Sequence, residues 1–441
     1  MLSRYAPIAA SIAAALSLAT VPLAAPAAAQ AQETAAEDDE AALPIAERAA
    51  GAVAVMRGER EALEVFSPTF LAAVSEAQLR ALTAQLEAQF GPLQGVDSLD
   101  PVDARRARIV LRFERGLGSG GIELAPTAPY LIDGLRLSSF EPLDDSAEAI
   151  ETELSDLPGE VSVWFGPLGE GEARFSRNPD ALHPIGSTFK LYVLSTLARS
   201  VEAGERGWDD VVPLSVRSLP SGIMHDWPQG APVTLHTLAT LMISGSDNTA
   251  TDQLIAVLGR DAVEAEVRAA GHSDPAATLP FLTTLEMFAL KSDLERGQAY
   301  AAADEAARRA QLARLDAERG GTSEGSGIAP WTEARLIDDV EWFASTADLR
   351  ALLARIAQQD DATARRIMSV APAMPPAIAD RWDYIGYKGG SEPGVLNYSW
   401  LLRDGDGDWH ALVMSWKDES NTLSTSLFDM FAQRLIALPE G

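Results

Sequence analysis

The chain has no cysteine. Disulfides, thiol nucleophiles, thiolate metal sites and a lipid-modified N-terminal cysteine are all excluded. Any fold it adopts outside the cytoplasm must be held by its core alone. Histidine is scarce: His183, His225, His236, His272 and His410 are scattered, with no pair at ligand spacing on one element, so no metal site is expected. Basic residues are few, 35 against 64 acidic, for a net charge of −29. Such a chain repels phosphate backbones and anionic membrane surfaces, so nucleic acid is not an expected partner. Only four lysines occur, at 190, 291, 388 and 417. Beyond the first 31 residues, no apolar run approaches the ~18 residues needed to cross a bilayer.

What is present begins with an export signal. Arg4 precedes an almost unbroken apolar stretch from Pro7 to Leu23, and Ala27, Ala29 and Ala31 follow at signal-peptidase spacing. Residues 1–31 read as a signal peptide cleaved after Ala29 or Ala31, giving a periplasmic or secreted bacterial protein. An uncleaved membrane anchor is the alternative, and after cleavage no stable membrane insertion is expected. Hydrophobic residues at 47% argue for globular structure in the remainder.

Residues 32–43 are polar and acidic and read as a disordered leader. From Pro44 to Gln89 apolar residues recur three and four apart, the helical period. The period then changes: ARIVLRFERG, GIELAP and YLIDGLRLSSF read as strands of an antiparallel meander. Residues 44–140 therefore form a small α+β domain. The acidic stretch 141–159 reads as a linker helix or connector. Residues 160–441 open and close with strand-like runs around helical segments, as expected of a sheet assembled from distant parts of the chain. Residues 293–333, a charged helix followed by a Gly/Ser loop, look inserted.

Three motif matches are better read as turns or loops. Gly116, Gly118 and Gly121 match a dinucleotide fingerprint, but a second strand-like run follows and no helix, so a glycine-rich hairpin is expected. Gly321–Gly325 matches a nucleophile elbow but follows a polar helix, so a loop is expected. The DGDGD run at 404–408 lies between strand-like runs and reads as a hairpin turn, since most ligands of a calcium loop are missing.

Three short motifs carry the chemistry. Ser187-Thr-Phe-Lys190 opens a segment that is apolar on nearly all faces, so Ser187 falls in the first turn of a buried helix with Lys190 one turn on. A serine hydroxyl needs a nearby base to become a nucleophile, and a buried lysine beside another cation can serve. Taken alone, the pair also fits a helix cap and a solvated lysine. Ser246-Asp247-Asn248 falls between two helix-like runs, where Ser246 could relay a proton, Asn248 hold a substrate amide and Asp247 tie the turn. Lys388-Gly389-Gly390-Ser391 ends a strand. There the N–H of Ser391, with that of Ser187, could form an oxyanion hole, and Lys388 could depress the pKa of Lys190. The three motifs in this order arise by chance about once in several thousand chains or less.

The order S-x-x-K, S-D-N, K-[TG]-G resembles class A β-lactamases and penicillin-binding proteins, over roughly residues 160–292 and 335–438. The resemblance implies an α+β fold: a β-lactamase-like catalytic domain, with an antiparallel sheet flanked by helices and an all-helical part. By element order alone, residues 44–140 resemble the cone-shaped steroid-isomerase-like domains that precede some of its members. The resemblance further implies that Ser187 forms the acyl-enzyme, Lys190 activates it and Ser246 relays protons. It implies that Asn248, Lys388, Gly390 and Ser391 hold a small acyl substrate, with no cofactor.

The chain departs from that pattern at two places. Family members carry E-x-x-L-N, whose glutamate activates the deacylating water. Here FLTTLEMFALKSD offers Glu286 with a displaced leucine and no asparagine, and the same stretch fits an ordinary amphipathic helix. Gly389 replaces the usual threonine, and Glu392 adds a nearby negative charge. His225 and Trp227 fit either a pocket wall or surface packing. β-Lactam hydrolysis is the leading expectation. An esterase or amidase of the same fold, a D-Ala peptidase-like penicillin-binding protein and a covalent ligand trap are the alternatives. Oligomeric state is not legible.

Overall fold

The structure is a computed structural model that describes residues 38–143, 145–318 and 331–438. The signal segment, the first half of the acidic leader (residues 32–37) and the Gly321–Gly325 match lie outside the described residues. Two compact units divide the chain, residues 1–145 and 146–441.

In the first unit, helices α1 (Asp38–Met56), α2 (Pro68–Ala73) and α3 (Glu76–Phe90) precede a four-stranded antiparallel meander. Its strands are β1 (Leu93–Pro101), β2 (Arg106–Phe113), β3 (Gly116–Leu124) and β4 (Ile132–Pro142). Local signals start the helices. The Ser67 hydroxyl accepts the N–H of Phe70 ahead of Pro68, and Ser75 forms a capping box with Gln78. The glycine-rich run is part of a hairpin, as expected. Gly116 starts β3 opposite Phe113. A side chain at Gly116 would lie 2.5 Å from the Phe90 ring, and one at Gly118 2.9 Å from the Phe140 ring. These glycines make room for Phe90 and Phe140, which stack with centroids 5.4 Å apart.

The second unit starts inside the stretch read as a linker. Helix α4 (Ala147–Ser155) buries Ile150 and Leu154, and its Glu153 forms a two-pronged ion pair with Arg434. The helix of that stretch thus packs on this unit. The chain continues through β5 (Glu160–Pro167), β6 (Phe175–Arg177), β7 (His183–Pro184) and α5 (Lys190–Glu202). A two-stranded ribbon of β8 (Val211–Pro213) and β9 (Pro232–Thr234) precedes helices α6 (Leu235–Ser244), α7 (Asn248–Leu258) and α8 (Arg260–Ala269). Then come α9 (Pro275–Thr278), α10 (Thr284–Ser292), α11 (Leu294–Ala301) and α12 (Glu305–Glu318). The last part holds β10 (Phe343–Ala344), α13 (Thr346–Ala357), α14 (Thr363–Met368) and α15 (Pro376–Ala379). It ends with β11 (Tyr384–Glu392), β12 (Val395–Arg403), β13 (Trp409–Lys417) and α16 (Thr425–Ala437).

The main sheet has the order β11-β12-β13-β5-β6 and is antiparallel throughout. It joins the first and last strands of the unit, as the strand-like runs at both ends predict. Strand β11 is an edge, with β12 as its one partner. Helix α5 is buried from Lys190 to Ala198, which accounts for its nearly uniform apolar sequence. The DGDGD run turns β12 into β13, with Asp404 accepting the backbone N–H groups of Asp406 and Asp408.

The segment read as an insertion is docked to the unit. Leu312 and Leu315 of α12 are buried, and Arg309 pairs with Glu264 of α8. Its Gly/Ser part, residues 319–330, lies outside the described residues. No described helix is long and apolar enough to cross a membrane.

Candidate active site

Ser187 sits in a single 3-10 turn, Gly186–Phe189, that runs directly into α5. The turn is held from below. Ile185 donates its N–H to the Trp342 carbonyl at 2.9 Å, and the Phe189 ring stacks on the Trp342 ring with centroids 3.7 Å apart. Gly186 has φ +46°, a left-handed conformation natural to glycine, immediately before Ser187.

Lys190 is fully buried, and its Nζ is ringed by oxygens: Ser187 Oγ at 3.2 Å, Ser246 O at 2.7 Å, Ser246 Oγ at 3.1 Å and Asn248 Oδ1 at 2.8 Å. None of these is a carboxylate. Burial, and next the charge of Lys388, hold the amine well below the usual lysine range; Asp252 and Asp247 oppose this only in part. A neutral amine donates two hydrogens and keeps one lone pair. With the carbonyl of Ser246 and the amide oxygen of Asn248 taking the hydrogens, the lone pair is left for the Ser187 hydroxyl.

Ser246 itself has φ +51°, a strained left-handed conformation for a serine. Asp247 fixes it there. One carboxylate oxygen caps α7 through Ala250 N at 2.9 Å, and the other accepts Ile223 N at 2.7 Å and Met224 N at 2.8 Å. Asp247 thus has the turn-tying role its position suggests. Asn248 is engaged with Lys190, and its amide nitrogen makes one long contact of 3.4 Å to Leu219 O.

The third motif comes from the edge strand. Lys388 is buried, and its Nζ donates to Ser246 Oγ at 3.1 Å and to Gly389 O. Burial lowers its pKa to about 7. Gly390 has a steric reason: a Cβ there would lie 2.0 Å from Ile185 O and 2.7 Å from Ser187 N. A Cβ on Gly186 would in turn lie 3.1 Å from Ser391 N, so the Ser187 turn and β11 touch backbone to backbone. Gly389 also has a physical cause. The Tyr387 hydroxyl occupies the space beside it, 2.0 Å from where a Cβ would lie, so a threonine would clash.

Of the nine residues singled out from sequence, eight converge here: Ser187, Lys190, Ser246, Asp247, Asn248, Lys388, Gly390 and Ser391. Glu286 does not. It is a buried helix-capping residue, with Oε2 accepting Thr283 N at 2.7 Å and Thr283 Oγ1 at 2.9 Å, and Oε1 accepting Arg260 at 2.5 Å. Both oxygens thus accept hydrogen bonds from its own helix cap and from Arg260, and no bond joins Glu286 to the eight residues above. Trp227 packs on the core, while the His225 side chain is about one-fifth exposed. Glu392 is not the free negative charge it looked like, because it pairs with buried Lys291.

Asp252 was missed in the sequence. Buried on α7, it accepts Ser218 Oγ at 2.7 Å, Thr284 Oγ1 at 2.6 Å and Thr284 N at 2.8 Å, joining the second motif's helix to α10. Its one visible signal is that it is the sole charged residue of its helix. No group of acidic or histidine side chains among the described residues could hold a metal.

A family model, the β-lactamase enzyme family, matches residues 145–369. Among curated proteins no relative matches. Solved structures similar to the chain include a β-lactamase from Sphaerobacter thermophilus DSM 20745, at 19% identity over 66% of this chain and 93% of that one, TM-score 0.45. Another is a β-lactamase from Chitinophaga pinensis DSM 2588, at 17% identity over 66% and 96%, TM-score 0.46. PBP-A is a third, at 17% identity over 66% and 94%, TM-score 0.45. The family match begins at residue 145 and leaves the first unit uncovered. With half of its length matched, and with all three motifs meeting at one serine, the chain belongs to the β-lactamase enzyme family.

Proposed function

We propose that the protein is an exported serine hydrolase that acts through an acyl-enzyme on Ser187, with β-lactams as its leading substrate class. One observation carries the reading: the buried Lys190 amine, held below its usual pKa, meets both Ser187 Oγ at 3.2 Å and Ser246 Oγ at 3.1 Å.

In acylation, Ser187 Oγ attacks the acyl carbon while its proton passes to neutral Lys190. The developing oxyanion accepts the N–H groups of Ser187 and Ser391, which flank the contact between turn and strand. The Ser246 hydroxyl then carries the proton to the leaving nitrogen. Lys388 orients that hydroxyl and supplies a cation for an anionic substrate group. Removing such a base costs about 10²–10⁴ in rate.

A second reading, an esterase or amidase for other acyl compounds, is favoured by Gly389, which offers no hydroxyl of its own, and by the commitment of Glu286 to Arg260. The two are separated by measuring turnover of a chromogenic cephalosporin and of p-nitrophenyl esters, with Ser187→Ala as control. Cephalosporin turnover lost in Ser187→Ala supports the first reading. Ester turnover alone supports the second.

A further inference from the structure

With Glu286 tied to Arg260, the water that would clear an acyl group from Ser187 needs another acceptor. A second cluster of buried charges is built on the elements that carry the site. Lys291 of α10 is fully buried and donates to Glu341 Oε1 at 2.8 Å and to Glu392 Oε1. Burial alone would lower the Lys291 ammonium, but the two carboxylates outweigh it and hold the pKa above its usual value. One cation thus serves two carboxylates, and the cluster carries one acidic group more than it can neutralise.

Both carboxylates are attached to the nucleophile's own supports. Glu341 precedes Trp342, whose ring stacks on Phe189 and whose carbonyl accepts Ile185 N; its second oxygen is taken by Trp342 N at 3.1 Å. Glu392 ends β11. Side chains alternate along a strand, so Lys388, residue 390 and Glu392 share one face. On that face Lys388 reaches Ser246, and residue 390 abuts Ser187 N so tightly that only glycine fits. Glu392 stands two residues, about 7 Å, beyond that contact. Its Oε1 is held by Lys291, while its Oε2 is buried and has no hydrogen-bond donor. It is the one carboxylate oxygen of the cluster that accepts no N–H donor, and burial, followed by the charge and the hydrogen-bonding contact of Glu341, pushes the carboxyl well above the usual carboxylate range.

We propose that Glu392 is the water-activating base for deacylation, held in place by Lys291 and tuned by Glu341. The inference rests on the acyl-enzyme reading of Ser187. A water O–H bond breaks, its proton goes to Glu392 Oε2, and the water oxygen bonds to the acyl carbon. The tetrahedral adduct then breaks its bond to Ser187 Oγ. The proton returns to Oγ by way of Lys190, leaving a carboxylic acid and free serine.

The test follows acylation and clearance separately, by intact mass of the full chain mixed with benzylpenicillin and, in parallel, with p-nitrophenyl acetate. Glu392→Gln keeps the shape and leaves Lys291 paired with Glu341. It is expected to acylate within about threefold of the unaltered protein and to clear the adduct at least 100-fold more slowly. A merely structural role would slow both steps together. Glu341→Gln is the second variant. The groups around Glu392 are Lys291 from α10 and Glu341, so removing the Glu341 charge lowers the Glu392 pKa. The acid limb of clearance is then expected to move to lower pH. Equal clearance by Glu392→Gln, or an unmoved limb in Glu341→Gln, overturns the assignment while leaving Ser187 intact. An adduct absent from the unaltered protein with both probes overturns the acyl-enzyme reading and this inference with it.

Discussion

Lys190 and Lys388 stand one hydroxyl apart: the Nζ of each lies 3.1 Å from Ser246 Oγ. Burial, and next the charge of Lys388, holds the Lys190 amine well below the usual lysine range, while Asp252 and Asp247 oppose this in part; burial also brings Lys388 down to about 7. The arrangement favours a neutral amine beside Ser187. Lys190, the more deeply buried and the one touching Ser187, is the one that yields its proton.

Lys190→Arg keeps a cation but cannot supply a lone pair, because guanidinium does not deprotonate in proteins. It is expected to lose acylation by about 10³-fold or more, as is Lys190→Met. Stopped-flow acylation rates check this, with thermal melting to show that both variants fold.

Lys388→Met removes the charge that helps depress Lys190. The amine then holds its proton more tightly, so the acid limb of the acylation rate moves to higher pH. The rate at its plateau is expected to fall about 10–100-fold because Ser246 loses its second donor. A pH–rate profile of acylation reads both effects.

Glu286→Gln leaves the Arg260 guanidinium without its anion in a largely buried setting. The expected cost is about 2–3 kcal/mol of stability, with adduct clearance changed by less than about twofold. Urea unfolding and the clearance rate together check that the residue is structural.

His183 is buried, with Nε2 on Ser162 Oγ at 2.8 Å, and burial lowers its pKa to about 4. The unfolded chain takes up a proton below its ordinary value near 6.5, while the folded chain resists until about 4. Stability is thus level above pH 6.5 and falls as pH drops through that window, by about 3 kcal/mol in all. Unfolding free energies at pH 7 and 4.5 are expected to differ less in His183→Asn than in the unaltered protein.

The site was legible in the sequence because its chemistry is local. The spacing of Ser187 and Lys190 fixes one turn, Asp247 and Asn248 mark a helix start, and glycines mark where a strand must touch a turn. The strand-like runs at both ends of the second unit likewise specified its sheet. The unread parts depend on long-range partners. Nothing near Glu286 announces Arg260, which is 26 positions away, and Lys291 meets Glu392 across 101 positions. Strand β1 was missed because its buried positions do not alternate and its pairing shifts register near Gly95. Helix α4 was read as a connector because its acidic surface outweighs the two apolar residues it buries, and Arg434 lies 281 positions on.

The central claim is tested most directly by intact mass of the protein mixed with benzylpenicillin, followed by peptide mapping of the adduct. The account predicts a mass increase of one penicillin that maps to Ser187 and is absent in Ser187→Ala. An adduct on any other residue, or an equal adduct in Ser187→Ala, would contradict it.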